Sequence, residues 1–153
     1  MNKAIPILFL LSIITLPLFG QEDEVKYVDD ESCGCELVFI NGIQTTESNG
    51  RYGFKLEDGT QIVENKYMYV DKFHGDYCKV YIDDYHCGLI NREGTEIIPC
   101  IYENVYYPLD SMIQVTQNGL QGFTNINGEM VIPCQFRAAS GFAEGLAVVS
   151  IDI

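Results

Sequence analysis

The sequence predicts an all-β protein: a tandem array of about three three-stranded antiparallel β-repeats after an N-terminal signal peptide. Three observations carry this expectation. Gly53, Gly88 and Gly122 stand 35 and 34 residues apart, each leading a segment that matches the other two. Each segment reaches a second glycine six positions later, behind a polar residue, and that pairing marks a hairpin turn. No stretch of the array holds a helical period.

Residues 1–20 differ in kind from the rest of the chain. Lys3 is the only charge before Glu22, and Ala4 to Phe19 is almost wholly apolar, interrupted by Pro6, Ser12, Thr15 and Pro17. A positive start, a short apolar stretch and the small Gly20 read as a secretory signal peptide. Two prolines in sixteen residues argue against a retained anchor, since a membrane span needs roughly twenty apolar residues. The expectation is an exported protein, periplasmic or extracellular, with no membrane association after cleavage. Residues 21–36 form a flexible acidic leader, with Glu22-Asp23-Glu24 and Asp29-Asp30-Glu31 lacking the glycine-centred spacing of a calcium loop. Residues 37–49 give a strand and an Asn41-Gly42 turn. They read as an N-terminal cap, the tail of a missing earlier copy, which would close an edge strand open to pairing.

Repeats 1, 2 and 3 occupy 50–84, 85–118 and 119–153. Tyr52-Gly53-Phe54 through Asp58-Gly59 aligns with Cys87-Gly88-Leu89 through Glu93-Gly94, and with Gln121-Gly122-Phe123 through Asn127-Gly128. The glycines Gly53, Gly59, Gly88, Gly94, Gly122 and Gly128 are therefore the repeat's turn glycines. Beyond them come Ile62-Val63, Ile97-Ile98-Pro99-Cys100 and Val131-Ile132-Pro133-Cys134, the returning strands. Proline cannot donate a ladder hydrogen bond, so it is expected to end the strand. Aromatics recur at Tyr67, Tyr102 and Phe136, then at Phe73 and Phe142 with Pro108 between, and valines at Val80, Val115 and Val149. About a dozen loop residues separate the second strand of each copy from its third.

Taken together, aromatic-Gly-aromatic, turn, Gly, Val-Ile-Pro, aromatic and Phe142-Ala143-Glu144-Gly145-Leu146-Ala147-Val148 resemble the WG-repeat family over residues 50 to 153. The naming tryptophan is absent: Tyr52, Cys87 and Gln121 stand in its place, and the chain contains no Trp. The resemblance implies a β-repeat array with an interaction role, and it brings no common catalytic residues.

Chemistry-bearing residues are sparse. The charge of −13 repels phosphates and anionic headgroups, which argues against nucleic acid as a partner. His74 and His86 have no counterparts in the other copies, and no serine sits in a Gly-x-Ser-x-Gly frame. Cys87 follows His86 directly, and adjacent strand residues point to opposite faces, a poor arrangement for proton transfer. Cys33-Gly34-Cys35 and the set Cys78, His86 and Cys87 lack paired zinc spacing. No cofactor and no metal are expected. Six cysteines in an exported chain suit disulfides. Cys100 and Cys134, at one position of successive copies, form either a disulfide or two small buried residues. The unmatched aromatics Tyr69, Tyr81, Tyr85, Tyr106 and Tyr107 are the expected interaction surface if one face gathers them. The function expected is a non-enzymatic interaction or scaffold module with a protein partner. The alternative is a cell-envelope enzyme or glycan binder working through a carboxylate site.

Overall fold

The computed structural model describes residues 24–30 and 35–150. The expected signal peptide and Cys33 lie outside the described residues. All described regular structure is strand, in antiparallel meanders, so the fold class is all-β as expected. The first sheet runs β1 (Val25–Asp30), β2 (Cys35–Ile40), β3 (Ile43–Ser48), β4 (Arg51–Leu56) and β5 (Gln61–Tyr67). The second holds β6 (Tyr69–Val70), β7 (Tyr77–Tyr81), β8 (Cys87–Asn91) and β9 (Glu96–Tyr102). The third repeats it with β10 (Asn104–Val105), β11 (Met112–Gln117), β12 (Leu120–Asn125) and β13 (Met130–Phe136). A last pair joins β14 (Ala138–Ala139) to β15 (Val149–Ser150).

The sheets break at Met68, Glu103 and Arg137, each just after the matched aromatic. A sheet therefore joins the end of one copy to the beginning of the next. Each copy has four strands rather than the expected three, because the long loop contains the two-residue strand β6, β10 or β14. The same loop then turns tightly, with Leu109 opposite Met112 and Ala143 opposite Leu146.

Three further expectations are corrected. The leader is not loose over its whole length: Val25–Asp30 pairs residue for residue with β2, from Val25 opposite Ile40 to Asp30 opposite Cys35. Lys26 bridges to Glu57, and the Glu24 and Asn41 backbones are joined at 2.7 Å. The prolines do not end strands. Pro99 and Pro133 lie inside β9 and β13, edge strands whose outer side needs no donor. Finally, only the second glycine of each pair is a turn glycine. Gly59, Gly94 and Gly128 have φ of 86, 79 and 81°.

Gly53, Gly88 and Gly122 lie within β4, β8 and β12 and are required by close approach. The partner strand bulges over them, so that Tyr52 faces Tyr67 while Phe54 faces Val63. A Cβ on Gly53 would stand 2.3 Å from the Val63 carbonyl oxygen, and one on Gly88 would stand 2.4 Å from that of Ile98. Only glycine lets the bulged strand settle there.

The core is a line of clusters, each crossing a copy boundary. One gathers Ile43, Phe54, Val63, Tyr67, Cys78 and Val80 with Ile90 of the next copy. Another gathers Cys87, Leu89, Ile98, Tyr102, Val105, Ile113 and Val115 of the second copy, with Tyr77 and Tyr81 of the first and Cys134 of the third packed against it. Full burial of such side chains contributes about 1.5–3 kcal/mol each, and here it couples each copy to its neighbour.

Cys100 and Cys134 are free thiols, not a disulfide. Cys100 packs on the first cluster with its Sγ 3.8 Å from the Val80 carbonyl, and Cys134 on the second, 3.8 Å from that of Val115. Equivalence itself parts them: each faces the core of the copy before its own.

Candidate functional site

Among the described residues, two clefts open on the array. The first, of about 590 Å³, lies between the cap and the first copy, walled by Val38, Ile40, Ile43, Tyr52, Phe54, Tyr69 and Phe73. The second, of about 300 Å³, is walled by Tyr107, Leu109, Met112, Gln121, Phe123, Gly141 and Phe142. Subtracting 69, the distance from Gly53 to Gly122, converts these second-cleft residues into Val38, Ile40, Ile43, Tyr52, Phe54, Lys72 and Phe73. All seven line the first cleft. The two clefts are one site repeated.

Local structure explains each wall. The hairpin tips at Ile40–Ile43 and Leu109–Met112 are two-residue turns, Asn41-Gly42 and Asp110-Ser111, with both residues at positive φ. Phe54 and Phe123 point inward because they alternate with the glycine that the bulge covers. Each meets its copy's later phenylalanine edge to face, Phe54 on Phe73 at 5.3 Å and Phe123 on Phe142 at 4.8 Å between centroids. In the first cleft the Tyr52 and Tyr69 rings stack at 6.4 Å, with Tyr69 62% exposed.

The polar complement differs between the two. Gln44, Thr45, Asp71 and Lys72 line the first cleft. Gln44 lines the first cleft and keeps its Oε1 buried with no hydrogen-bond partner among the described residues. In the second cleft the Gln114 amide donates at 3.0 Å to both Gln121 Oε1 and the Ala139 carbonyl, leaving a closed polar floor.

The middle copy holds the same position filled. Cys87, Leu89 and Val105, counterparts of Tyr52, Phe54 and Val70, are at most 1% exposed. Tyr77, Tyr81 and Tyr107 pack over them. Tyr77 is the counterpart of Ile43 and Met112, each opening a hairpin's second strand. Tyr107 is that of Lys72 and Gly141. Its ring lies 4.5 Å from His74 and its hydroxyl donates to the Lys72 carbonyl at 3.4 Å.

The expected tyrosine surface is thereby split. Tyr69 lines the first cleft and Tyr106 the second, where Lys79 sits 5.8 Å from the Tyr106 ring. Tyr85 is 75% exposed at the tip of the β7–β8 loop. Tyr81 packs on the core, Tyr107 packs on the core and also walls the second cleft, and burial first, then nearby negative charge, pushes both phenols up to about 12. The period-35 alignment marked them as unmatched, and the structure shows why: the middle copy needs rings where its neighbours have none. Sequence reading missed the clefts, although their Phe54, Phe73, Phe123 and Phe142 walls were visible as matched aromatics.

The remaining reactive side chains are committed elsewhere. Asp83 accepts from the Tyr85 and His86 backbones at 2.8 Å and faces His86 Nδ1 at 3.0 Å, which holds its carboxyl below the usual range. Burial pushes the Cys78 and Cys100 thiols up to about 12 and raises Cys87, so they remain protonated. Among the described residues no group of three or more His, Cys, Asp or Glu side chains is placed to hold a metal ion.

A family model described as WG containing repeat matches residues 88–120 and 122–152. No curated protein and no solved structure matches the chain.

Proposed function

We propose that this chain, a WG-repeat protein through residues 88–152, is an exported, non-enzymatic interaction module that holds a protein partner in its two equivalent clefts. The observation that carries this reading is the repetition itself. One concave, aromatic-walled site occurs twice at a separation of 69 residues, while the intervening copy is closed. Concave apolar sites with a few polar groups are where ligands bind. Two of them on one chain let a partner engage twice, so that the second contact is intramolecular.

The carboxylate-enzyme reading draws less support. The first cleft brings one acidic side chain, Asp71, and the second brings none. Glycoside hydrolysis needs two carboxyl groups about 5 to 9 Å apart. The Asp83-Asp84 pair sits in an exposed turn, with Asp83 bonded to that turn's own backbone.

The test compares capture of partners from cell extract by the mature protein and by a variant with both clefts filled, Lys72→Tyr with Gly141→Tyr. Lys72 is exposed, and a Cβ on Gly141 would meet only the tip of the flexible Leu109 side chain. One stoichiometric partner held by the wild type and lost by the variant is the expected result. Equal capture by both proteins overturns the reading.

A further inference from the structure

We infer that each open cleft takes one aromatic side chain bearing an N–H or O–H, presented by a basic, extended segment of the partner. This rests on the interaction reading above and adds the chemistry of the bound group.

The middle copy shows which group the site accepts. There the buried Cys87, Leu89 and Val105 are covered by rings of the chain itself, and the Tyr107 hydroxyl finds a carbonyl acceptor at 3.4 Å. The first and third copies carry Lys72 and Gly141 at the Tyr107 position, so the place of that ring stays open. A ring supplied from outside would restore the packing that the middle copy makes internally.

Size and polarity agree. The second cleft, at about 300 Å³, accommodates a single aromatic side chain, and the first, at about 590 Å³, also admits flanking backbone. A charged side chain would lose its hydration without an ion partner in the second cleft, where no lining residue is charged. An aliphatic one would offer no hydrogen bond to Gln44, Thr45 and Asp71, polar residues that line the first cleft. The chain's charge of −13 favours basic residues beside the ring.

Because the chain contains no Trp, the indole emission of a peptide reports binding without background. The probe is a Gly- and Lys-flanked peptide with one central Trp, and its control carries Leu there. The expected result is a blue shift of the indole emission, with two sites per chain and binding at least about tenfold weaker for the Leu peptide. Lys72→Tyr and Gly141→Tyr should each remove one site, and the double variant both, with unchanged far-ultraviolet dichroism showing that they fold.

Binding that survives in the folded double variant, or equal binding of the Leu peptide, overturns the inference. Failure of the Trp peptide while partner capture still depends on the clefts removes the aromatic occupant and leaves the interaction reading intact. Failure of the peptide together with cleft-independent capture removes both.

Discussion

Gly94 lies against the carbonyl of Ile62 so closely that a Cβ placed on it would stand 2.4 Å from that oxygen. Gly128 repeats the relationship with Ile97 at 2.2 Å, whereas a Cβ on Gly59 would meet nothing within 4 Å. The turn of each later copy thus seats on the returning strand of the copy before it. The glycine is needed twice over at these seats, for its positive φ and for its missing side chain.

This separates three otherwise similar substitutions. Gly59→Ala suffers only the left-handed backbone and should cost about 1 kcal/mol. Gly94→Ala and Gly128→Ala add a collision with backbone that cannot swing away, and should cost roughly 3 kcal/mol or more each. Urea midpoints for the three variants check the order. Equal losses at all three positions would remove the seating role.

The leading glycines make a second case. Gly88→Ala places a Cβ 2.4 Å from the Ile98 carbonyl oxygen and 2.9 Å from Cys100 Sγ. It should displace the bulge of β9 and cost roughly 1–3 kcal/mol by overpacking, with no strain from φ. Amide exchange should quicken along Glu96–Tyr102 before it does in the first sheet. Protection unchanged in β9 would contradict the close-approach account.

Tyrosines at different depths should also behave differently. Tyr107→Ala removes a ring that packs over the second core and should destabilise by about 2–3 kcal/mol. Tyr69→Ala removes a ring that is 62% exposed and should stay within about 0.5 kcal/mol. Thermal unfolding of the two variants gives the comparison.

Stability should fall at alkaline pH. Burial raises Cys78 and Cys100 from 9.0 to about 12 and Tyr81 and Tyr107 from 10.0 to about 12. The folded protein holds these protons after the unfolded chain has released them, so their contribution is complete below pH 9 and is lost progressively between about 9 and 12. Urea midpoints at pH 8, 10 and 11 should therefore descend, and Tyr107→Phe should flatten the descent. A rising midpoint would contradict the sign.

Much of the fold was legible because the repeat left matched residues at matched spacing. The glycines, the returning Ile and Val residues and the aromatic at the sheet break were all visible at offsets of 35 and 34. Three features escaped, for physical reasons. The strand Val25–Asp30 was hidden by its acids, which outweighed the alternation of Val25 and Tyr27 with Lys26. Pro99 and Pro133 suggested strand ends because sequence does not show which strand is an edge. Cys100 and Cys134 suggested a bridge because equivalence looks like proximity until the stacking direction is known.

The clefts were illegible for a further reason. A site that exists because Lys72 and Gly141 do not fill it can be recognised only beside the copy in which Tyr107 does. Even the burial of the third copy needed coordinates. Its strand β13 repeats the residues of β5 and β9, yet it is more exposed, with no further turn seated on it among the described residues.

The most direct test of the paired-cleft account is the methyl spectrum of the methionine-labelled protein with and without its captured partner. Met112 lines the second cleft, whereas Met130, 43% exposed on β13, lies outside both. The account predicts that the Met112 methyl shifts on binding while that of Met130 stays in place, and that Gly141→Tyr abolishes the shift. A partner that moves Met130 and leaves Met112 unmoved would contradict it.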